Sequence, residues 1–281
     1  MTLTRPLLRY LGGKWRLAPW IISQLPPHRV YIEPFGGAAS VLLRKQRVPT
    51  EVYNDLDSDV VGLFRLLRDP VLAAELVRQL ELTPWARAEF LAAYEASADP
   101  VERARRLIVR SFMGFGSCAS RIDRTTGFRT GHRMGEAPAS REWATYPQAL
   151  AATIERLRGV SIECLPASKL IESRDSAEAL FYVDPPYVHA TRSQKRTRCA
   201  PSNGYTHELD DAAHAALLDQ LCGVAGMVVL SGYPHPLYEA RLRGWTRVER
   251  DTLADGARPR TEVLWFNPAA QYARGLLGAA A

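Results

Sequence analysis

Cysteine is scarce: Cys118, Cys164, Cys199 and Cys222 are the four in 281 residues, widely spaced and with no CxxC pair. That spacing argues against a zinc ribbon or a disulfide frame and leaves reduced, structural thiols as the expectation, with no metal. No uninterrupted apolar run approaches the ~18 residues of a membrane-spanning helix. The N-terminus lacks the charged-then-apolar pattern of a secretory leader, which predicts an intracellular, cytoplasmic protein. Also missing are the GxGxxG spacing of dinucleotide sites, a full phosphate-binding P-loop and any internal repeat.

What is present describes a globular chain. Hydrophobic residues make up 47% and charged residues 23%, and the length allows a sizeable core. The net charge of +6 is concentrated rather than spread. Between Arg110 and Arg141 six arginines meet only Asp123 and Glu136, and between His189 and Thr206 four cations meet no acid. Each stretch carries +4, so the remainder is slightly acidic. Basic segments rich in Gly, Ser and Thr with interleaved aromatics suit a polyanion, although solvated loops share that composition. The candidate contacts are Arg121, Arg124 and Arg129 in the first stretch and Arg192, Lys195, Arg196 and Arg198 in the second.

The chain is organised around Leu180-Phe181-Tyr182-Val183-Asp184-Pro185-Pro186-Tyr187. A run of strand formers ends in a carboxylate, two prolines and an aromatic ring, and reads as a buried strand delivering a site. At a strand's carboxyl end Asp184 can accept a hydrogen bond from an amino group. Pro185 and Pro186 carry no N–H, which leaves local carbonyls to meet a donor, and Tyr187 offers a stacking surface. Together these suit a planar substrate bearing an NH2 group. A strand closed by an Asx-turn gives the same bare pattern.

A second corner lies upstream. Val30-Tyr31-Ile32 reads as a buried strand, followed by Glu33-Pro34-Phe35-Gly36-Gly37 and a helix through Val41, Leu42 and Leu43. Strand, glycine turn and helix start make a nucleotide-binding corner of a doubly wound α/β sheet. The next strand, Val52-Tyr53-Asn54, ends at Asp55, 18 residues after Gly37. That is near the ~20-residue spacing at which an acid meets a ribose hydroxyl. A helix N-cap is the other reading of Asp55, although Asp57 and Ser58 can serve there. A ribose-containing cofactor without a required pyrophosphate is the economical inference. Nearer the start, Tyr10-Leu11-Gly12-Gly13-Lys14 places two glycines and a lysine before a helical pattern; it suits a carboxylate or phosphate contact, or a plain surface turn.

The middle reads as helical. Val60, Val61, Phe64 and Leu67 share a face, Pro70 opens a segment to Leu82, and Thr83-Pro84 and Asp99-Pro100 each read as a cap followed by a first-turn proline. A loop or hairpin is expected from Arg110, with Phe112 and Phe115 in the core. The boundaries drawn are 1–62 and 150–281 for a discontinuous sheet domain, and 63–149 for an inserted, mainly helical domain with a basic hairpin. Leu150, Ile154 and Leu157 return the chain to the sheet. Strands are expected at Ser161–Leu165 and Met227–Ser231, with an antiparallel pair at Thr246–Val248 and Glu262–Phe266. Before the second of these comes a helix with apolar face Leu209, Ala212, Ala213, Ala216, Leu217 and Leu221. His207 and His214 read as surface residues, and Gly275–Ala281 as a frayed tail.

YLGGK, EPFGGAAS, the NDLD centred on Asp55, DPPY and EVLWFNP occur in that order, and the series resembles the Dam-like DNA adenine methyltransferases that use S-adenosylmethionine. The resemblance covers about residues 1–60 and 150–268. It implies a Rossmann-like methyltransferase sheet with an inserted target-recognition domain, a bacterial or phage-encoded enzyme acting at the nucleoid, and double-stranded DNA as substrate. It implies methylation of the adenine N6 amine in a specific sequence, by base flipping and direct in-line transfer, with a cognate restriction endonuclease as a partner. Carried over by residue, Tyr10, Gly13 and Lys14 would contact the cofactor, Glu33, Phe35, Gly36 and Gly37 would shape its pocket, and Asp55 would hold ribose. Asp184, Pro185, Pro186 and Tyr187 would hold the target adenine, with Asp184 also facing the cofactor. The family's acid after the third strand is missing from Leu165-Pro166-Ala167-Ser168, so Ser168 or a backbone carbonyl would substitute. The arginine hairpin does not align with the family's readers. An RNA adenine methyltransferase and a DNA-binding relative without catalysis are the competing readings; Asp rather than Asn before the prolines argues against a protein glutamine methylator.

Overall fold

The computed structural model describes residues 3–116, 120–123, 125–130, 138–191, 205–254 and 258–278. These fall into two compact units: a sheet unit drawn from 16–56, 159–195 and 207–281, and a helical unit drawn from 1–15, 57–158 and 196–206. Elements are numbered along the chain.

The sheet unit holds β1 (Val30–Glu33), β2 (Thr50–Asn54), β3 (Val160–Glu163), β4 (Ala179–Val183), β5 (Met227–Gly232), β6 (Thr246–Ala254) and β7 (Arg258–Phe266), ordered β3-β2-β1-β4-β5-β7-β6. The first five are parallel, and β7 runs antiparallel to both β5 and β6. Every residue of β4 and β5 is buried, which is why these strands read as unbroken apolar runs rather than alternating ones. Helices α1 (Ala18–Gln24), α2 (Ser40–Arg44), α9 (Ala167–Arg174), α10 (Asp211–Cys222), α11 (Pro236–Arg241) and α12 (Pro268–Gly278) complete the unit. Ile32, Phe181, Val228 and Trp265 from the sheet share one core with Leu170, Leu218 and Tyr238 from α9, α10 and α11. On the outer strand β6, exposed Arg247 pairs with Glu239 and Glu249.

Three expectations about this unit are corrected. The buried face of α10 is His214, Leu217, Leu218 and Leu221, while Ala212, Ala213 and Ala216 are exposed. His214 is not a surface residue: its Nδ1 lies 3.1 Å from the Tyr238 hydroxyl, and that partner makes burial tolerable. His207 is exposed, as expected. The chain after Phe266 does not fray at Gly275, because α12 continues to Gly278. Buried Asn267 starts that helix: its Oδ1 accepts from Ala270 and from Val228 of β5, and its Nδ2 donates to the Gly226 carbonyl.

The helical unit contains α3 (Ser58–Leu66), α4 (Pro70–Leu82), α5 (Arg87–Ala92), α6 (Pro100–Met113), α7 (Ala139–Ala144) and α8 (Tyr146–Leu157). Asp57, Asp69 and Asp99 cap α3, α4 and α6 through their carboxylates, each worth about 1 kcal/mol. Thr83 is not a cap: its hydroxyl donates to the Gln79 carbonyl and its own carbonyl accepts from Trp143, so it closes α4 and the next helix waits until Arg87. Helix α6 runs through Met113, so the hairpin begins at Gly114 and not at Arg110. Phe112 is core as expected, but Phe115 is 70% exposed; past the end of α6 it leaves the helix face that buries Phe112 and Met113.

Candidate active site

Strand order reverses between β1 and β4: β2 and β3 lie on one side of the pair and β5, β7 and β6 on the other. In a parallel sheet, neighbouring loops part at such a point and leave a crevice beyond the carboxyl ends. Register brings the two sequence corners there, since Val30, Tyr31 and Ile32 of β1 face Ala179, Leu180 and Phe181 of β4. The turn Glu33–Gly37 therefore leaves β1 at the sheet edge where Asp184–Tyr187 leaves β4. Both corners lie at the same carboxyl-end margin of neighbouring strands.

The glycine corner is built against Tyr53. A side chain on Gly36 would sit 2.2 Å from the Tyr53 ring, so only glycine fits, and the Gly36 amide donates to the Asn54 carbonyl at 2.8 Å. Gly37 has φ of +48°, a conformation that glycine adopts without cost. Its carbonyl accepts from the Tyr53 hydroxyl and its amide donates to Asp55 Oδ2 at 2.8 Å. Asp55 is thus a half-buried carboxylate at the tip of β2. Asp57, not Asp55, caps the following helix. Phe35 is packed against the sheet core.

Glu33 closes β1 and is fully buried; its Oε1 accepts from the Tyr31 hydroxyl at 2.6 Å and from the Leu42 amide at 2.7 Å. Burial, only partly offset by those hydrogen bonds, pushes its carboxyl up to about 7, and the Asp184 charge pushes the same way.

Asp184 is half-buried, while Pro185, Pro186 and Tyr187 are buried. The Tyr187 hydroxyl donates to Glu262 on β7 and lies 3.1 Å from Ser231 Oγ on β5. Burial, with the Asp184 and Glu262 charges, holds the phenol well above its ordinary range, so it stays protonated. Tyr233 meets the Tyr187 ring edge to face at 4.6 Å.

Ser168 lies in the first turn of α9 and is exposed, its carbonyl accepting from Gln220. Tyr10, Gly13 and Lys14 lie in the helical unit, where the Gly13 amide donates to the Tyr10 carbonyl and buried Lys14 donates to the Gly12 carbonyl. In the same unit the basic hairpin is tied by Phe115 N to Gly127 O and Arg129 N to Met113 O. Arg121 pairs with Asp123, and Arg129 donates to the Phe112 carbonyl. Arg124, Arg192, Lys195, Arg196 and Arg198 lie outside the described residues.

A model of the D12 class of N6 adenine-specific DNA methyltransferases matches residues 10–222. The chain belongs to this family. It is also similar to the DNA adenine methylases of Vibrio cholerae serotype O1, 25% identical over 232 residues, covering 80% of each chain. The DNA adenine methylase of Escherichia coli strain K12 is 26% identical over 224 residues, covering 77% of this chain and 76% of the relative. The protein is accordingly a DNA adenine methyltransferase. No helix among its described residues is long and apolar enough to cross a membrane, and no cluster of possible metal ligands occurs among them.

Three buried residues that tie these turns together, Asn54, Ser231 and Glu262, are not evident from the sequence. Buried Asn54 donates to the Pro34 and Leu165 carbonyls and accepts from the Leu165 amide, joining the loops after β1 and β3. Ser231 and Glu262 hold Tyr187. Asn54 sits beside Asp55 in the NDLD series and was within reach; the other two acquire meaning only through strand pairing.

Proposed function

We propose that this methyltransferase uses S-adenosylmethionine to methylate the N6 amine of an adenine rotated out of duplex DNA. The observation that carries the reading is the meeting of the glycine corner and the DPPY turn at one strand-order reversal. The donor set suits the cofactor. Asp55 stands at the tip of β2, its Oδ2 accepting from the Gly37 amide, at the spacing from the glycine turn where a carboxylate meets ribose hydroxyls. Within the sheet unit, Glu33, Phe35, Gly36, Gly37 and Asp55 would hold the cofactor, with either Ser168 or a backbone carbonyl. S-Adenosylmethionine supplies an activated methyl group on a sulfonium.

The protein's task is to make a poor nucleophile competent. Adenine's amine is planar because its lone pair is delocalised into the ring. Asp184 and the Pro185 carbonyl, accepting its two hydrogens, draw the nitrogen toward a tetrahedral form and direct its lone pair outward. Asp184 can then take the proton that the methylated amine must lose. Tyr187 provides a stacking face that offsets the ~few kcal/mol of unstacking a base. Arg121 and Arg129, with the basic residues that follow them in sequence, would contact phosphate. The RNA reading would use the same chemistry, but the relatives' names favour DNA.

The test is labelled cofactor with DNA, RNA and protein substrates. Label should enter adenine of DNA, and Asp184→Ala should abolish transfer, a loss on the order of 10³-fold or more, while cofactor affinity is kept. Full activity in Asp184→Ala removes the residue from this role.

A further inference from the structure

We infer that Glu262 of β7 is a positioning residue for the target base, acting through Tyr187. The inference rests on the proposed role of Tyr187 and extends it to a strand remote in sequence. Glu262 is 2% exposed, and its Oε1 accepts from two hydroxyls, Tyr187 Oη and Ser231 Oγ, the latter at 2.9 Å. Tyr187 Oη and Ser231 Oγ are themselves 3.1 Å apart, closing a triangle from the DPPY turn, β5 and β7.

A buried carboxyl group is expensive, and an apolar residue of similar volume would commonly cost no stability. Its presence fixes the far end of a phenol whose backbone directly follows the two torsionally restricted residues Pro185 and Pro186. A tyrosine side chain has two soft torsions, and restraint at both ends leaves its ring one plane. Arg260, two residues along β7 and so on the same face, sets its guanidinium 5.8 Å from the centre of the Tyr233 ring, which abuts Tyr187 edge to face. One face of β7 thus contacts both rings of this aromatic pair. Ordering the ring during folding removes that cost from base capture, and a shift of ~1 Å in a stacking surface can lower the rate ~10²-fold.

The experiment is a double-mutant cycle on the full chain with Glu262→Leu and Tyr187→Phe, adding Glu262→Gln as the conservative variant. The readouts are kcat, the KM values for cofactor and DNA, and the fluorescence of 2-aminopurine at the target position. Glu262→Leu should lower kcat roughly 10²-fold with cofactor KM unchanged and altered probe fluorescence. Glu262→Gln, which still offers an oxygen to the phenol, should recover most of the rate. In the Tyr187→Phe background Glu262→Leu should add little. Full additivity, or equal losses in Leu and Gln variants without a fluorescence change, would overturn the inference. Should Glu262→Leu fail to fold, Tyr187→Phe alone must show the lower kcat and altered fluorescence, and wild-type values there reject the idea. Wild-type protein that labels no adenine in DNA would instead defeat the underlying functional reading.

Discussion

At the scale of single residues, Glu33 links stability to pH. Its carboxyl stands near 7 in the folded protein against 4.5 for the unperturbed group. Between those values the folded state binds more protons than the unfolded one, so stability falls as pH rises through this window and the loss is complete above it. The displacement corresponds to roughly 3 kcal/mol at most. Glu33→Gln keeps an oxygen for Tyr31 and Leu42 and removes the charge. Its melting temperature should exceed that of the parent protein at about pH 8, with the advantage vanishing near pH 4.5. Equal pH slopes for the two proteins would show that Glu33 does not titrate in this window.

Legibility also divides at this scale. Asp184, Gly36 and Asp55 could be placed from sequence because each chemical demand sits beside its own strand. Gly36 is obligatory for a reason sequence hides, the Tyr53 ring packed across it. His214 looked exposed because its partner Tyr238 is 24 residues away. Ser231 and Glu262 meet only once β5 runs antiparallel to β7, with Ser231 opposite Leu264 and Gly232 opposite Val263.

Among elements, the hairpin of the helical unit combines rigidity with exposure. Phe128 packs against Trp85 and Phe90 with ring centres 5.7 and 5.8 Å away, and buried Arg110 bonds the Ala93 and Ser120 carbonyls. Phe115 and Ile122 of the hairpin remain in solvent. Phe128→Ala should loosen the hairpin and weaken DNA binding about tenfold or more through lost order, the size of a ~1.4 kcal/mol effect, with the cofactor constant unmoved; a gel-shift titration reads it. Arg121→Ala with Arg129→Ala should reduce the slope of log K against log salt by about 2, and an unaltered slope rejects the hairpin as a phosphate contact. Helices opened by Asp-Pro were plain in the sequence, as α4 and α6 attest. The polar α9, with only Leu170 and Ile171 buried, carries too little apolar pattern to announce itself.

For the molecule as a whole, ligand and fold are thermodynamically linked. A cofactor held by the folded sheet unit stabilises it by about 2.7 kcal/mol at a hundredfold excess over Kd. S-Adenosylmethionine should therefore raise the melting temperature by several degrees, and Asp55→Ala should erase most of that shift. Calorimetry finding equal affinity in both proteins would remove Asp55 from the ribose site. The sheet order itself was only partly legible: the closing antiparallel pair could be read, whereas the insertion of β7 between β5 and β6 depends on packing that no local pattern encodes.

The outermost strand has one more effect. With Arg247 and Glu249 turned to water along β6, and only four residues in β3 at the opposite margin, neither side offers an incoming chain a long greasy border to extend. Recruiting another strand there would mean dehydrating charges before any ladder formed, and this guards crowded solutions of the protein against fibrous aggregation.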